Sequence, residues 1–163
     1  MAWQLRRAAP DDLDGIMSIE HAVFPRDSWS AESMRAELAS KHGYYLVAFD
    51  QQAPDDFVGY AGLLAPRGSH QADIQSVAVV ESARRRGLAR TLVLSLLAEA
   101  RDRGAREVFL EVRIDNPAAQ NLYDSLGFER IAVRKGYYQP DNVDGIVMRL
   151  VVPEPKLSPA VGR

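Results

Sequence analysis

The 163-residue chain contains no cysteine. That excludes a thiol nucleophile, a thiolate-held zinc site and a disulfide framework together. The absence also fits a reducing compartment. Long apolar runs are missing as well, since none approaches the length needed to span a bilayer. The opening Met1-Ala2-Trp3-Gln4 lacks the charged-then-apolar pattern of a leader. A soluble, cytoplasmic protein is therefore expected. No excess of one charge exists either: 20 basic residues face 22 acidic ones, for a net charge of −2. General attraction to nucleic acid or a membrane surface is thereby excluded, and any anion binding must be local. The three histidines, His21, His42 and His70, show no i,i+4 spacing, so neither a metal site nor a Ser-His-Asp triad is supported.

What the chain does have is a strand, a basic glycine turn and a helix in immediate succession. Residues 74–80, Ile-Gln-Ser-Val-Ala-Val-Val, read as a buried strand. Leu88, Leu92, Leu96 and Ala100 then recur every fourth residue, one apolar helix face ending near Arg103-Gly104. Between them stands Arg84-Arg85-Arg86-Gly87-Leu88-Ala89-Arg90. The first N–H groups of a helix have no internal partner and carry partial positive charge, so an anion can sit there. Gly87 would let it approach the backbone, and the arginines add fixed charge. A solvated basic turn is the alternative reading. The two best-known phosphate loops, Gly-x-x-x-x-Gly-Lys-Ser/Thr and Gly-x-Gly-x-x-Gly, are both absent.

Taken in order, residues 3–8 form a first strand, and Pro10-Asp11-Asp12 opens a helix carrying Leu13, Ile16 and Met17. A polar loop, Arg26-Asp27-Ser28, precedes Ser30, the N-cap of a second helix reaching about residue 40. Residues 44–49 and 57–64 read as a hairpin joined by the turn-rich stretch 50–56, with Gly59 and Gly62 marking close backbone approach or a bulge. Residues 107–113 follow the long helix as a strand, so this βαβ unit should make two parallel strands. Asn116-Pro117 supplies an N-cap and a proline at the first helical position, and that helix stops at Gly127. Strands at 128–134 and 146–152 close the pattern, separated by a long loop with Tyr137-Tyr138-Gln139-Pro140. One domain over residues 1–152 is expected, able to bury roughly 70% of its unfolded surface. From Pro153 onward three prolines and few apolar residues predict a disordered tail.

Two residues stand out chemically. Glu111 lies within the apolar strand Glu107-Val108-Phe109-Leu110-Glu111-Val112-Arg113, a setting in which glutamate is depleted. It is either a reactive carboxylate or one spent on Arg113 or on solvent at the strand's end. Tyr123 sits among the apolar positions of the following helix and reads as a packing residue or a proton donor.

Arg-x-x-Gly-x-Ala resembles the pyrophosphate loop of the GNAT superfamily of N-acetyltransferases. Leu110-Glu111-Val112-Arg113-x-x-Asn116-x-x-Ala119-x-x-Leu122-Tyr123-x-Ser125-Leu126-Gly127-Phe128 resembles the second half of that core. With Phe24-Pro25…Trp29-Ser30 and Arg134-x-x-Tyr137-Tyr138-x-Pro140, the likeness narrows to the RimI-type ribosomal-protein-alanine N-acetyltransferases. The resemblance implies a GNAT fold of the α/β (α+β) class, a mixed splayed sheet of about seven strands flanked by about four helices. It implies acetyl-coenzyme A as co-substrate and no metal. Backbone groups of Val77, Ala78 and Val79 would pair with the pantetheine arm, and Arg84, Arg85, Arg86, Gly87, Leu88, Ala89 and Arg90 would hold the pyrophosphate. Asn116 would contact the cofactor further along. Glu111 matches the family's general base and Tyr123 its general acid, while Trp29, Tyr137 and Tyr138 would border the acceptor. The implied acceptor is a protein N-terminus, alanine-first and ribosomal. A lysine or small-molecule amine, or a non-catalytic acyl-coenzyme A module, are the competing readings. The segment Arg26-Asp27-Ser28 departs from relatives that have almost nothing there, which leaves its role open.

Overall fold

The computed structural model describes residues 3–153. The expected tail beyond Pro153 lies outside the described residues. Seven strands form one sheet: β1 (Trp3–Arg7), β2 (Gly43–Asp50), β3 (Ala53–Leu64), β4 (Gln71–Val79), β5 (Glu107–Arg113), β6 (Glu129–Tyr138) and β7 (Val143–Val151). Their spatial order is β1-β2-β3-β4-β5-β7-β6. Every neighbouring pair is antiparallel except β4 and β5, which the βαβ pattern required to be parallel. Four α-helices cover it: α1 (Leu13–Val23), α2 (Ala31–Ala39), α3 (Leu88–Asp102) and α4 (Pro117–Ser125). No helix among the described residues is long and apolar enough to cross a membrane.

Alternation along the strands divides the core in two. Leu46, Ala48, Ala61 and Leu63 face one side and pack with Leu88, Leu92, Val93 and Leu96 of α3. Tyr45, Val47 and Tyr60 point the other way, onto Ile16, Met17 and Ile19 of α1 and Met34 of α2. Each sheet face thus buries one apolar stripe of a helix.

Three boundaries differ from the sequence expectation. A 3₁₀ turn, Pro10–Asp12, precedes α1, with Asp12 accepting from the Ala9 N–H at 2.8 Å. The hairpin connection shrinks to Gln51-Gln52, closed by Gln52 N–H donating to Asp50 at 2.9 Å. Pro54 and the aspartates that read as turn signals lie in the irregular start of β3, where the ladder with β2 is shifted between Phe57 and Ala53 and a missing N–H breaks little. Similarly, β6 runs to Tyr138, so Tyr137 and Tyr138 end a strand instead of lying in a long loop. The ladder there is irregular between Arg134 and Tyr138, and Gly136 adopts positive φ while its N–H donates to Asp144 at 2.8 Å.

Gly62 shows why β3 needs a missing side chain. A Cβ there would lie 2.2 Å from Cζ of Tyr45. That ring cannot swing away freely, because it is 3% exposed and its hydroxyl donates to Gln75 at 2.7 Å. Gly62→Ala should cost about 1–3 kcal/mol of stability by overpacking. Urea unfolding checks this, and an unchanged midpoint would mean the Tyr45 ring is not fixed as described.

Candidate active site

The site begins where β4 and β5 part. They pair only through Gln71–Asp73 opposite Glu107–Phe109. Beyond Asp73, β4 stays on β3 through Ser76, Val77, Ala78 and Val79, while β5 stays on β7 up to Arg113. Between Ile74 and Ser76 the β3 ladder skips Gln75, a bulge that bends β4 at the point of departure. The wedge between the two strands opens into a cleft of about 970 Å³. Backbone groups of Val77 and Val79 on that inner edge have no strand partner, yet buried polar groups require one. An extended ligand lying along β4 can supply it.

At the far end of β4 the chain turns through a 3₁₀ turn, Glu81–Ala83, and enters α3. Arg84 Nε donates to the Val79 carbonyl at 2.9 Å, which fastens the loop to the strand end. Gly87 is the helix N-cap at φ +80°, a left-handed conformation, and no side chain caps the first turn. The first helical bond runs from Thr91 N–H to the Gly87 carbonyl at 3.0 Å, so the N–H groups of Leu88, Ala89 and Arg90 are free for an anion. A Cβ on Gly87 would meet no atom within 4 Å, so the space above the turn is open. Arg84, Arg85, Gly87, Leu88, Ala89 and Arg90 all line the cleft, and Arg86 is exposed on the same loop away from the lining. Arg90 also donates to Ser125 at 3.0 Å, tying α3 to the end of α4.

Glu111 and Tyr123 reach the same cleft from β5 and α4. Oε2 of Glu111 is shielded from solvent and has no hydrogen-bond partner. Its nearest cation is Arg134, 4.0 Å away. Arg113, the partner the strand spacing suggested, is instead bound to Asp115 at 2.9 Å and Asp27 at 3.0 Å. Interaction with the Glu111 carboxylate raises the Tyr137 phenol, hydrogen bonding first and burial second. Burial first, then the same charge, raises Tyr138 and also Asp73. Tyr123 packs edge-on against Phe128 at 5.7 Å, and burial pushes its phenol up to about 12. It therefore holds its proton firmly at neutral pH. Asn116 also lines the cleft; its carboxamide oxygen caps α4 through Ala119 N–H at 3.2 Å, which leaves its NH₂ for a ligand.

The acceptor candidates are spread more widely. Tyr138 lines the cleft and stacks edge-on with Tyr137 at 5.0 Å. Tyr137 lies beside Glu111 outside the lining, under the Arg134 guanidinium at 5.1 Å. Trp29 packs into the α1–α2 core, with its N–H donating to Glu20 at 2.8 Å. Among the described residues no group of three or more His, Cys, Asp or Glu is placed to hold a metal.

Sequence reading passed over Glu20. It is 1% exposed on α1, lines the cleft floor, and accepts from Trp29 N–H and from the Tyr60 hydroxyl. Ser76 Oγ lies 2.8 Å from that same hydroxyl. A signal was present: Glu20 stands four residues after Ile16 and three after Met17, on the apolar stripe of α1, where a carboxylate has no packing reason to be.

Residues 13–128 match the model of the Acetyltransferase (GNAT) family. The N-alpha-acetyltransferase RimI of Mycobacterium tuberculosis is 36% identical over 76% of this chain and 75% of its own length. An uncharacterized protein of Mycobacterium leprae is 36% identical over 86% of this chain, which spans only 38% of that longer protein. The crystal structure of the ribosomal-protein-S18-alanine N-acetyltransferase from Escherichia coli superposes with a TM-score of 0.82 at 25% identity, covering 98% of this chain and 99% of that one.

Burial raises the Glu20 carboxyl above its ordinary value, against the opposing pull of the Tyr60 and Trp29 bonds. A carboxyl raised on folding binds its proton more tightly in the native chain than in the unfolded one. Its contribution to stability is then full at low pH and falls as pH climbs from the ordinary carboxylate range through the raised native value. Glu20→Gln should flatten that fall. Urea midpoints of both proteins compared at about pH 4 and about pH 7 check this. Parallel profiles would show that Glu20 does not titrate differently on folding.

Proposed function

The chain belongs to the GNAT family of acetyltransferases, and from that premise we propose that it acetylates the N-terminal α-amine of a protein. Its co-substrate is acetyl-coenzyme A, which supplies the acetyl group as a thioester. The residues present fit that molecule: an inner edge at Val77 and Val79 with no strand beside it, free N–H groups at the start of α3, open space above Gly87, and the Asn116 amide further along. Arg84, Arg85 and Arg90 add positive charge where the pyrophosphate would lie, with Arg86 beside them on the loop.

One observation carries the catalytic reading: Glu111 keeps a shielded, unpartnered carboxylate oxygen at the mouth of the splay. Buried acceptors are normally satisfied, so an unpaired one invites a donor that arrives with the substrate. A peptide α-amine has a reference pKa of about 7.7–8.0, so near neutrality much of it is protonated and cannot attack. Glu111, directly or through a water, removes that proton. A backbone N–H on the splayed edge of β4 stabilises the oxygen charge that develops on the carbonyl. Tyr123, which holds its proton at neutral pH, donates it to the departing sulfur. Tyr137 and Tyr138 flank the base, and Trp29 shapes the segment beside it. Transfer is direct. The name borne by the Mycobacterium tuberculosis relative supports an α-amine as acceptor, and that of the Escherichia coli structure supports an alanine-first ribosomal protein.

The test is thiol release with an alanine-first peptide and with its N-terminally blocked, lysine-containing counterpart. The free α-amine should react faster, and faster modification of the blocked peptide would promote the lysine reading. Small first residues should be preferred without strict exclusion, because one methylene shifts discrimination by only about 1–3 kcal/mol. Glu111→Gln should lower turnover roughly 10²–10⁴-fold with cofactor affinity nearly intact. Tyr123→Phe should likewise act on turnover. Normal rates for both variants would make these residues structural.

A further inference from the structure

The segment between α1 and α2, residues 24–30, crosses the acceptor end of the cleft. Phe24, Pro25, Arg26 and Asp27 line that end together with Tyr138 and Asp141. Asp141 lies in the turn between β6 and β7, on the opposite rim. Arg113, at the end of β5, stands between the two rims and touches both. Its Nη1 donates to Asp27 at 3.0 Å, and its Nη2 lies 3.6 Å from Asp141. Asp115 grips the same guanidinium through Nε at 2.9 Å and Nη2 at 3.0 Å, while Tyr138 stacks beneath it at 5.4 Å. Arg26 closes the ring by pairing with Asp141 at 2.9 Å.

These contacts are unequal. The Arg26 side chain is 68% exposed, so its pair is screened and contributes little. Arg113 and Asp27 are 19% and 15% exposed, which withdraws them from solvent and fixes the planar guanidinium in one orientation. The other end of the segment is held separately, by Trp29 N–H on buried Glu20. A segment tied down at both ends and bridged to the facing turn forms a strap.

Resting on the amine-acceptor reading above, we propose that Arg113 is a positioning residue. By clasping Asp27 on the strap and Asp141 on the β6–β7 turn, it gives the acceptor channel over Glu111 a fixed width. The clasp thereby sets affinity for the acceptor and discrimination at its first residue. Segment 26–28 acquires a role: Asp27 is the strap's half of the clasp.

The experiment uses the full chain with Asp27→Asn and Asp141→Asn, both outside the proton-transfer residues. Amide hydrogen exchange without ligands reads the clasp independently of activity. Asp27→Asn should speed exchange in residues 24–30 and also in residues 139–142, to which it does not belong. Asp141→Asn should do the reverse. Kinetically, either variant should raise the KM for an alanine-first peptide about two- to fivefold, the scale of one partly exposed ion pair. kcat and acetyl-coenzyme A affinity should change little, and preference for alanine-first over leucine-first peptide should narrow. Wild-type KM should rise with added salt and the variants' KM should not, since salt screens what they have already lost. Exchange at the facing segment that stays at the wild-type rate would overturn the clasp, as would an unchanged acceptor KM. Failure of the wild type to acetylate any α-amine would reject the acceptor reading alone, and the exchange result would still decide the clasp.

Discussion

The site depends on one constraint: β4 and β5 hydrogen-bond for only three residues and then part. Each strand continues because its outer neighbour holds it, β3 on one side and β7 on the other. Beyond the fork the inner edges have no neighbouring strand among the described residues, and the Val79 carbonyl at the far end is taken up by Arg84 Nε. In most folds this would be a defect, since buried N–H and C=O groups need partners. Here the open edge leads to the uncapped start of α3, so an extended ligand paired along β4 would bring an anionic end to the helix N-terminus.

Polar groups beneath β4 tie it to the helices where it leaves β5. At the bulge, Gln75 accepts from Tyr45 and donates to Glu37 at 3.0 Å, tying the sheet to α2. One residue on, Ser76 meets Tyr60, whose hydroxyl donates to Glu20 on α1. Burial and the nearby Glu20 charge keep the Tyr60 phenol protonated. Replacing such a buried polar set with apolar residues of equal volume often stabilises a protein. Its presence is therefore better explained by geometry than by stability. It orients the bent strand and, through Trp29 N–H, the segment beside the acceptor.

Much of this was legible in the chain because it is local. The glycine turn before α3, the Asn116-Pro117 cap and the carboxylate within an apolar strand are each written in a few adjacent residues. The parallel pairing of β4 and β5 followed from connection length. What was not legible depends on distance. Nothing near Gln75 announces a bulge, because the skip arises from register against β3. Arg113 meets residues 27 and 141, which no spacing rule connects to it. Glu20 was missed for another reason: following apolar positions along α1 passes over a polar residue on the same stripe. Gly136 and Pro140 read as loop, yet the ladder absorbs the irregularity and carries Tyr137 and Tyr138 to the site on a strand.

The distribution of arginines along the cleft then explains why Glu111 is available at all. At the α3 end, Arg84, Arg85 and Arg90 line the cleft, Arg84 tied to the Val79 carbonyl and Arg90 to Ser125. At the acceptor end, Arg26 and Arg113 stand among Glu20, Asp27, Glu111, Asp115 and Asp141. Arg113 shares β5 with Glu111 two residues away and on the same face, so it was the natural partner to neutralise it. Asp27, Asp115 and Asp141 hold it instead. Glu20 faces inward to Tyr60 and Trp29, and Glu111 is left beside the Tyr137 phenol with Arg134 as its cation at 4.0 Å. On the proposed reading of Glu111 as a base, its shielded oxygen stays open for the substrate. Asp115 alone grips the Arg113 guanidinium through two nitrogens, so Arg113 stays committed away from Glu111 even when one contact of the clasp is lost.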